Sequence, residues 1–240
     1  MSNVVFVELL ITAIASNNVG SGIGLEALDN EDRNLVLIVG GLEAQPHAYP
    51  WQAAITNGNE WADCGGTIIC PKYVMTAYHC ISTIDHKTLG IAVGIHNKNE
   101  IKDRNIRKYD IAKIIHHPKA PCLHQRFDFA LLELKENIQF QTDARPIYLP
   151  LASDIKKLTP TSKLIVSGWG MAENGVYPMK LRAVALNYLG GNKCPLLNWE
   201  ETPDKICAGI NGGGKDACVG DSGGTPFWYL MVILMVFVPC

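Results

Sequence analysis

The stretch Asp216-Ala217-Cys218-Val219-Gly220-Asp221-Ser222-Gly223-Gly224 is the most informative part of this sequence. It places the Ser222 hydroxyl between glycines whose backbone N–H groups can turn toward a reacting carbonyl. Serine alone is a poor nucleophile, because it needs a base to take its proton and a carboxylate to hold that base in the right tautomer. The stretch therefore predicts acyl transfer if the chain supplies both groups. The alternative is an ordinary serine in a glycine-rich turn.

Both groups occur upstream. His79 lies in Met75-Thr76-Ala77-Tyr78-His79-Cys80, and Asp128 precedes the apolar run Ala130-Leu131-Leu132. A carboxylate beside a buried strand is costly unless it is hydrogen-bonded, and an imidazole N–H is the partner that this chemistry supplies. The order His, Asp, Ser belongs to one triad lineage and not to the others. His116 and His117, by contrast, are interpreted as a strand end and a turn.

From residue 38 onward, short β-rich runs alternate with clusters of Gly, Pro, Asn and Asp. These runs are residues 51–56, 66–70, 73–77, 108–116, 130–134, 163–168 and 181–188. Such spacing predicts an all-β barrel or sandwich. The mixed-charge run from Lys98 to Lys113 is interpreted as a solvated hairpin or loop.

Together these motifs resemble the trypsin/chymotrypsin-like serine proteases. The segments that carry the resemblance, in order, are Ile38-Val39-Gly40-Gly41, Pro50-Trp51-Gln52, Cys64-Gly65-Gly66-Thr67, the His79 and Asp128 segments, Ser167-Gly168-Trp169-Gly170 and the Ser222 segment. The resemblance implies two antiparallel six-stranded Greek-key barrels with the active site between them. It also implies a serine endopeptidase that acts on proteins or peptides and needs no cofactor and no metal.

The resemblance gives each triad residue a role. Ser222 would attack the peptide carbonyl, His79 would take and return the proton, and Asp128 would orient His79. The backbone N–H groups of Gly220 and Ser222 would form the oxyanion hole. For Gly220 the alternative is a plain turn glycine.

Two acids near Ser222 also match family positions. Asp216 corresponds to the base of the specificity pocket, where a carboxylate selects substrate Arg or Lys, and its alternative is a loop aspartate. Asp221 corresponds to the acid that pairs with the amino terminus released on activation, here that of Ile38, and its alternative is a surface acid. Leu37 stands where the family usually has Arg or Lys. Activation would therefore need cleavage after leucine, or further trimming.

Eight cysteines indicate an oxidising compartment, where disulfides form and persist. The resemblance implies a Cys64–Cys80 bridge that clamps the His79 loop, and a Cys194–Cys207 bridge. A zinc site made of four cysteines is disfavoured, because the chain contains no Cys-x-x-Cys pair. Partners are left open for Cys70, Cys122, Cys218 and Cys240, although Cys240 is the only cysteine that follows Cys218.

The N-terminal region indicates secretion. Residues 1–15 are predicted to be a signal peptide, because an apolar run ends in Ala13-Ile14-Ala15, although Glu8 interrupts it and a basic start is missing. The alternatives are an unprocessed apolar tail and a wrongly chosen start codon. Residues 16–37 are predicted to be a pro-segment, and residues 38–240 the protease domain.

Charge bears on the partners. The formal net charge is -2, and the charged residues are scattered. Nucleic acids and anionic membranes need clustered Lys and Arg, so neither is expected as a partner. The resemblance allows protein protease inhibitors as partners, besides peptide and protein substrates.

The C-terminal residues 225–240 depart from the family pattern, which is followed only to about Gly224. Thr225 stands where the family has proline, and residues 227–238 form an unbroken apolar run. That run is too short for a membrane helix, which needs about twenty residues, and long for a single strand. We therefore expect an incomplete second barrel. The rival function is a catalytically inactive, truncated protease-like protein.

Overall fold

The computed structural model describes residues 42–118, 120, 127–149, 157–172, 176–190, 207–209 and 226–227. Their regular structure is almost entirely β, which confirms the predicted fold class. The only described helix is a short 3-10 turn, η1 (Lys98–Lys102). The strands are β1 (Leu42–Glu43), β2 (Gln52–Asn57), β3 (Glu60–Cys70), β4 (Tyr73–Thr76), β5 (Leu89–Val93), β6 (Arg107–His116), β7 (Ala130–Leu134), β8 (Lys163–Gly168), β9 (Arg182–Gly190), β10 (Cys207–Gly209) and β11 (Pro226–Phe227).

Six strands form a closed antiparallel barrel in the order β2-β3-β4-β7-β6-β5. Its interior is filled by large aliphatic side chains with no solvent exposure, namely Ile55, Ile68, Ile91, Leu132 and Leu134. Full burial of each contributes about 1.5–3 kcal/mol relative to exposure. Closure also removes free strand edges, so every barrel strand has a neighbour on both sides. The barrel is the frame on which His79 and Asp128 are placed.

Gly66 lets β3 and β4 approach closely. A Cβ atom at this position would lie 2.9 Å from Cγ1 of Val74 and 3.3 Å from the backbone oxygen of Met75. Only glycine therefore fits without a shift of β4. This close packing holds the Cys64 end of β3 against the strand that leads into His79.

A second sheet follows the order β1-β9-β8-β11, and β10 pairs with β9. Strand β11 joins through the pairs Pro226↔Val166 and Phe227↔Ile165. Val166, Val184 and Leu186 form a small buried cluster on this sheet. The chain therefore returns to the second sheet immediately after Thr225.

Buried contacts connect the two halves. Trp169 is fully buried and packs with Ala54 and Ala92 of the barrel and with Leu181 before β9. Its Nε1 donates to the backbone oxygen of His96, at 3.0 Å. In addition, the Ser167 hydroxyl donates to Oε1 of Gln52 at 2.8 Å, in a buried hydrogen bond between β8 and β2.

The interpretation of residues 98–113 as a solvated hairpin or loop is wrong from Arg107 onward, where the strand predicted at residues 108–116 is present as β6. The segment contains η1, which begins with a capping box between Asn97 and Glu100, and most of barrel strand β6. Tyr109 is buried in the barrel core, while Lys108 and Asp110 on either side are exposed. Alternation of this kind is typical of a half-buried strand, and the many charges lie on its outer face.

The predicted strands are otherwise present, with shifted ends. Strand β3 begins at Glu60, well before residue 66, and β5 was not predicted. No helix in the described part of the chain has the length and apolar character to cross a membrane. The predicted signal peptide, the pro-segment and all of the 225–240 tail except β11 lie outside the described residues.

Candidate active site

The pairing of β4 with β7 brings His79 and Asp128 together. Thr76, the last residue of β4, lies opposite Ala130, the first residue of β7. His79 follows Thr76 by three residues and Asp128 precedes Ala130 by two, so both leave the barrel at the same edge. The antiparallel register therefore converts two distant sequence motifs into one site.

Asp128 contacts His79 through both carboxylate oxygens. Oδ2 lies 2.5 Å from Nδ1 of the imidazole, and Oδ1 accepts the backbone N–H of His79 at 2.8 Å. A carboxylate only accepts hydrogen bonds, so Nδ1 carries the proton in the neutral ring and Nε2 is the basic nitrogen. The Asp128 side chain is 13% exposed and that of His79 is 41% exposed. Asp128 thus fixes the orientation of an imidazole that stays partly exposed to solvent.

The backbone of Phe127, the residue before Asp128, is in a strained conformation. Its φ of 54° lies in the left-handed region, which is unusual for a bulky residue and costs of order 1–3 kcal/mol. The ring stacks on the buried His117 imidazole, with ring centroids 4.1 Å apart and planes 13° apart. This stack offsets the strain and fixes the residue that precedes the acid. The interpretation of His117 as a plain turn missed this contact, because no local pattern marks a ring stack between residues ten apart.

The structure contains the expected Cys64–Cys80 disulfide. Cys80 follows His79 directly, and Cys64 lies in β3. The Thr76 hydroxyl also donates to the backbone oxygen of Gly65, at 2.8 Å and buried. The segment that carries His79 is therefore tied to β3 on both sides of the histidine, which limits its motion.

Cys64, His79 and Cys80 also form a group of possible metal ligands. Their sulfur and nitrogen atoms all lie within 4.8 Å of one another, and Nε2 of His79 is 3.7 Å from Sγ of Cys80. The two sulfurs are bonded to each other, so neither is a thiolate that can bind a metal. In this oxidised form the group acts as a covalent clamp.

Cys70, at the end of β3, is a free and buried thiol. Burial raises its pKa above the ordinary value, so the reactive thiolate is disfavoured. Cys70 therefore acts as a small apolar side chain of the core.

The other predicted site residues lie outside the described residues. They are Ser222, Gly220, Asp221, Asp216 and Ile38, together with Cys122, Cys194, Cys218, Cys240 and the side chain of Cys207. The described part of the candidate site therefore consists of His79, Asp128 and the Cys64–Cys80 disulfide.

Comparison with known proteins identifies the family of this chain. The family model described as Trypsin matches residues 38–233, and so extends past Gly224. Human Kallikrein-2 (Homo sapiens) is 32% identical over 200 residues, which cover 78% of this chain and 73% of that protein. With a closed six-stranded antiparallel barrel in addition, these matches show that the chain belongs to the trypsin family of serine proteases.

Proposed function

We propose that this chain is a secreted serine endopeptidase that cleaves peptide bonds with a triad of His79, Asp128 and Ser222. The observation that carries the proposal is the double contact between His79 and Asp128 at the barrel edge. Membership of the trypsin family supports protein or peptide substrates.

The proposed reaction begins when the Ser222 hydroxyl attacks the substrate carbonyl. Nε2 of His79 takes the serine proton, and Asp128 stabilises the resulting imidazolium through Nδ1. The negative charge on the former carbonyl oxygen is accepted by the backbone N–H groups of Gly220 and Ser222. One such donor contributes about 3–4 kcal/mol to catalysis.

The tetrahedral intermediate then collapses. His79 returns its proton to the leaving amine, and an ester remains on Ser222. Water hydrolyses this ester in a second round, in which His79 again acts first as base and then as acid. The exposed fraction of the imidazole, 41%, leaves room for substrate and for this water.

Asp216 is proposed to make the enzyme specific for substrates with Arg or Lys before the scissile bond. A carboxylate at the base of a closed pocket is costly while unpaired, and a substrate cation removes that cost. Peptides with Arg or Lys before the scissile bond are therefore expected to be cleaved faster than those with Phe or Leu. A preference for aromatic residues that survives Asp216→Ser would contradict this role.

Activation is proposed to release the amino group of Ile38 for an ion pair with Asp221. Leu42 is held in β1 opposite Ala183, which anchors the chain shortly after this terminus. The four residues from Ile38 to that anchor span at most about 14 Å. Cleavage after Arg33 would leave four extra residues and displace the amine. The bond between Leu37 and Ile38 must therefore be cut, directly or by further trimming.

Labelling with an active-site-directed phosphonate tests the proposal. The form to use begins at Ile38, with Arg-amide hydrolysis measured in parallel. We expect labelling of Ser222, and losses on the order of 10⁵–10⁶-fold in Ser222→Ala and His79→Ala, with the double variant little worse because the two residues act as a unit.

Ser82→Ala is the matched control. Ser82 lies on the same turn as His79, and its hydroxyl donates to the backbone oxygen of His79 at 3.2 Å rather than to the imidazole, so labelling should persist. Additive losses in the double variant would argue against a shared triad.

The alternative is a catalytically inactive, truncated protease-like protein. The apolar run of residues 227–238 favours it, because uncharged β-branched and aromatic segments promote aggregation. A soluble, correctly processed chain that takes up no phosphonate would establish this alternative. Cleavage of an Arg-amide by the 240-residue chain would exclude it.

A further inference from the structure

The clamp beside His79 contains the ligands of a metal site. Cys64, His79 and Cys80 place their ligand atoms within 4.8 Å of one another, closer than any other such group of three in the described part of the chain. We propose that reduction of the Cys64–Cys80 disulfide turns this group into a three-ligand Zn²⁺ site that occupies His79. The metal site itself stands independently of the proposed function, and only its inhibitory consequence rests on that function.

The distances suit tetrahedral zinc. With zinc bonds of about 2.3 Å to sulfur and about 2.0–2.1 Å to nitrogen, a nitrogen and a sulfur ligand lie about 3.6 Å apart. Nε2 of His79 and Sγ of Cys80 are already 3.7 Å apart. The two sulfurs must separate to about 3.8 Å. Because the cysteine Cα atoms are 5.9 Å apart, side-chain rotation achieves this without moving the backbone.

Asp128 supplies the outer contact that a zinc-bound histidine requires. Histidine ligands commonly donate their second ring N–H to a carboxylate, which fixes the ring and raises its basicity. Oδ2 of Asp128 receives Nδ1 of His79 at 2.5 Å, and Oδ1 is fixed by the backbone N–H of the same residue. The contact that orients a base for catalysis therefore also presents Nε2 to a metal.

The backbone around the site has supports other than the disulfide. Thr76 donates to the backbone oxygen of Gly65, and Thr67 pairs with Met75 between β3 and β4. Closure of the six-stranded barrel is likewise independent of the sulfur bridge. The backbone of the three ligand residues is therefore expected to keep its position after reduction, while the cysteine side chains rotate.

The charge balance suits a buried site. Cys64 and Cys80 are each 6% exposed. Two thiolates and one Zn²⁺ sum to zero charge with a neutral imidazole, which avoids an uncompensated buried ion. Solvent can fill the fourth position on the more exposed His79 side. Thiolate and imidazole ligands together select zinc over the hard cations Mg²⁺ and Ca²⁺.

The redox step is balanced by a dithiol reductant. The dithiol gives two electrons and two protons to the Cys64–Cys80 bond and becomes a disulfide itself. Zn²⁺ then replaces the two thiol protons, which pass to solvent. Air oxidation of the zinc-free dithiol re-forms the bridge and restores the base.

The test is protection from alkylation. The full chain is reduced with dithiothreitol, the reductant is removed without oxygen, and iodoacetamide is added with or without Zn²⁺ alone. Peptide mass mapping then gives the alkylation rate of each cysteine. We expect zinc to slow alkylation of Cys64 and Cys80 at least tenfold, because thiolates bound to zinc are weak nucleophiles.

Variants separate this site from other thiols. His79→Ala and Asp128→Asn should each raise the Zn²⁺ concentration needed for half-maximal protection about 10–100-fold. His79→Ala removes a ligand, and Asp128→Asn removes the outer contact of that ligand. Cys70→Ser should leave it unchanged, because Cys70 lies outside the group. Circular dichroism of the reduced chain checks that the β-sheet persists.

Equal protection in wild type and His79→Ala would overturn the proposal, and so would loss of β-structure on reduction or absence of protection. The readout does not use peptidase activity. A chain that takes up no phosphonate but shows the expected protection would therefore refute the proposed function and leave the zinc site standing.

Discussion

The closed barrel and the second sheet differ in how much of the chain each one needs. The barrel is built from residues 52–134, and its six strands close on themselves. The second sheet joins β1, at Leu42–Glu43, to β9, and joins β8 to β11 at Pro226–Phe227. Contacts between residues that are far apart in the sequence have a larger entropic cost of loop closure. The proposed base and acid thus lie on the half that closes locally, whereas Ser222 precedes a strand that depends on distant pairing.

Because of this difference, we expect substitutions in different parts of the molecule to have different effects on turnover and on stability. A change at the barrel edge should affect turnover without affecting the fold, because the barrel core is complete without His79 and Asp128. A change in the barrel core should unfold the frame of the site. A change between the halves should have a smaller effect, since it loosens their relative position only.

Among the changes that test this comparison, the largest effect is expected from Asp128→Asn. The asparagine amide cannot hold the Nδ1–H tautomer, so turnover of an Arg-amide substrate should fall about 10⁴-fold while KM changes little. Steady-state kinetics on the form that begins at Ile38 measures both values. A turnover close to wild type would remove Asp128 from the mechanism.

Asp143→Asn is the control for Asp128→Asn. Asp143 also accepts a hydrogen bond from a side chain, with Oδ1 2.6 Å from Nη2 of Arg107, and Arg107 is the first residue of β6. Its loss should cost stability of about 1 kcal/mol and leave turnover unchanged, because the pair is partly exposed.

The next largest effect is expected from Leu132→Ala. Leu132 has no solvent exposure and sits in the main barrel cluster, so truncation should lower the free energy of unfolding by about 2–5 kcal/mol. Urea denaturation followed by circular dichroism measures this loss. Val176→Ala, at a side chain that is 58% exposed, should change it by less than about 0.5 kcal/mol. Equal losses in the two variants would mean that the barrel is not the stable unit.

The sequence predicted the fold class and the pairing of His79 with Asp128, but not the strand register that brings these two residues together. The motifs around His79 and Asp128 indicated a histidine and its carboxylate, and the structure brings the two within hydrogen-bonding distance. The register that achieves this, Thr76↔Ala130, has no local signature, because strand pairing depends on the whole barrel. The catalytic roles of His79, Asp128 and Ser222 stay predictions, and so do the roles of Asp216, Gly220 and Asp221.

Strand β5 was not predicted, because it has only five residues, including Gly90. Strand β6 was predicted, but the charges around its start favoured a competing interpretation of residues 98–113 as a hairpin or loop. In both, tertiary pairing rather than local propensity decides the structure. No sequence motif indicated the strain at Phe127 for the same reason, because its stacking partner, His117, is positioned by the end of β6.

A double-mutant cycle at Gln52 and Ser167 tests the connection between the halves. Each single change, Gln52→Leu or Ser167→Ala, leaves a buried polar group unpaired and should cost about 1–3 kcal/mol. The double variant should cost less than the sum by about 1 kcal/mol, because both partners are then gone. Chemical denaturation gives the four free energies. Strict additivity would mean that this hydrogen bond does not couple β2 to β8.

The smallest effect is expected from titration of Glu43, in β1. Its carboxylate accepts from Lys180 at 2.8 Å and lies near His96, and the hydrogen bond to Lys180 is the main reason that its pKa falls below the ordinary value of 4.5. A carboxyl group with a lowered folded-state pKa contributes stability that is complete above the unfolded pKa and disappears as the pH falls through the folded one. The melting temperature of Glu43→Gln should therefore lie slightly below that of the wild type at pH 6 and converge with it below pH 4.5. Since Glu43 is exposed, high salt should also reduce the difference. A gap that widens on acidification would mean that Glu43 does not help to hold β1 on the second sheet.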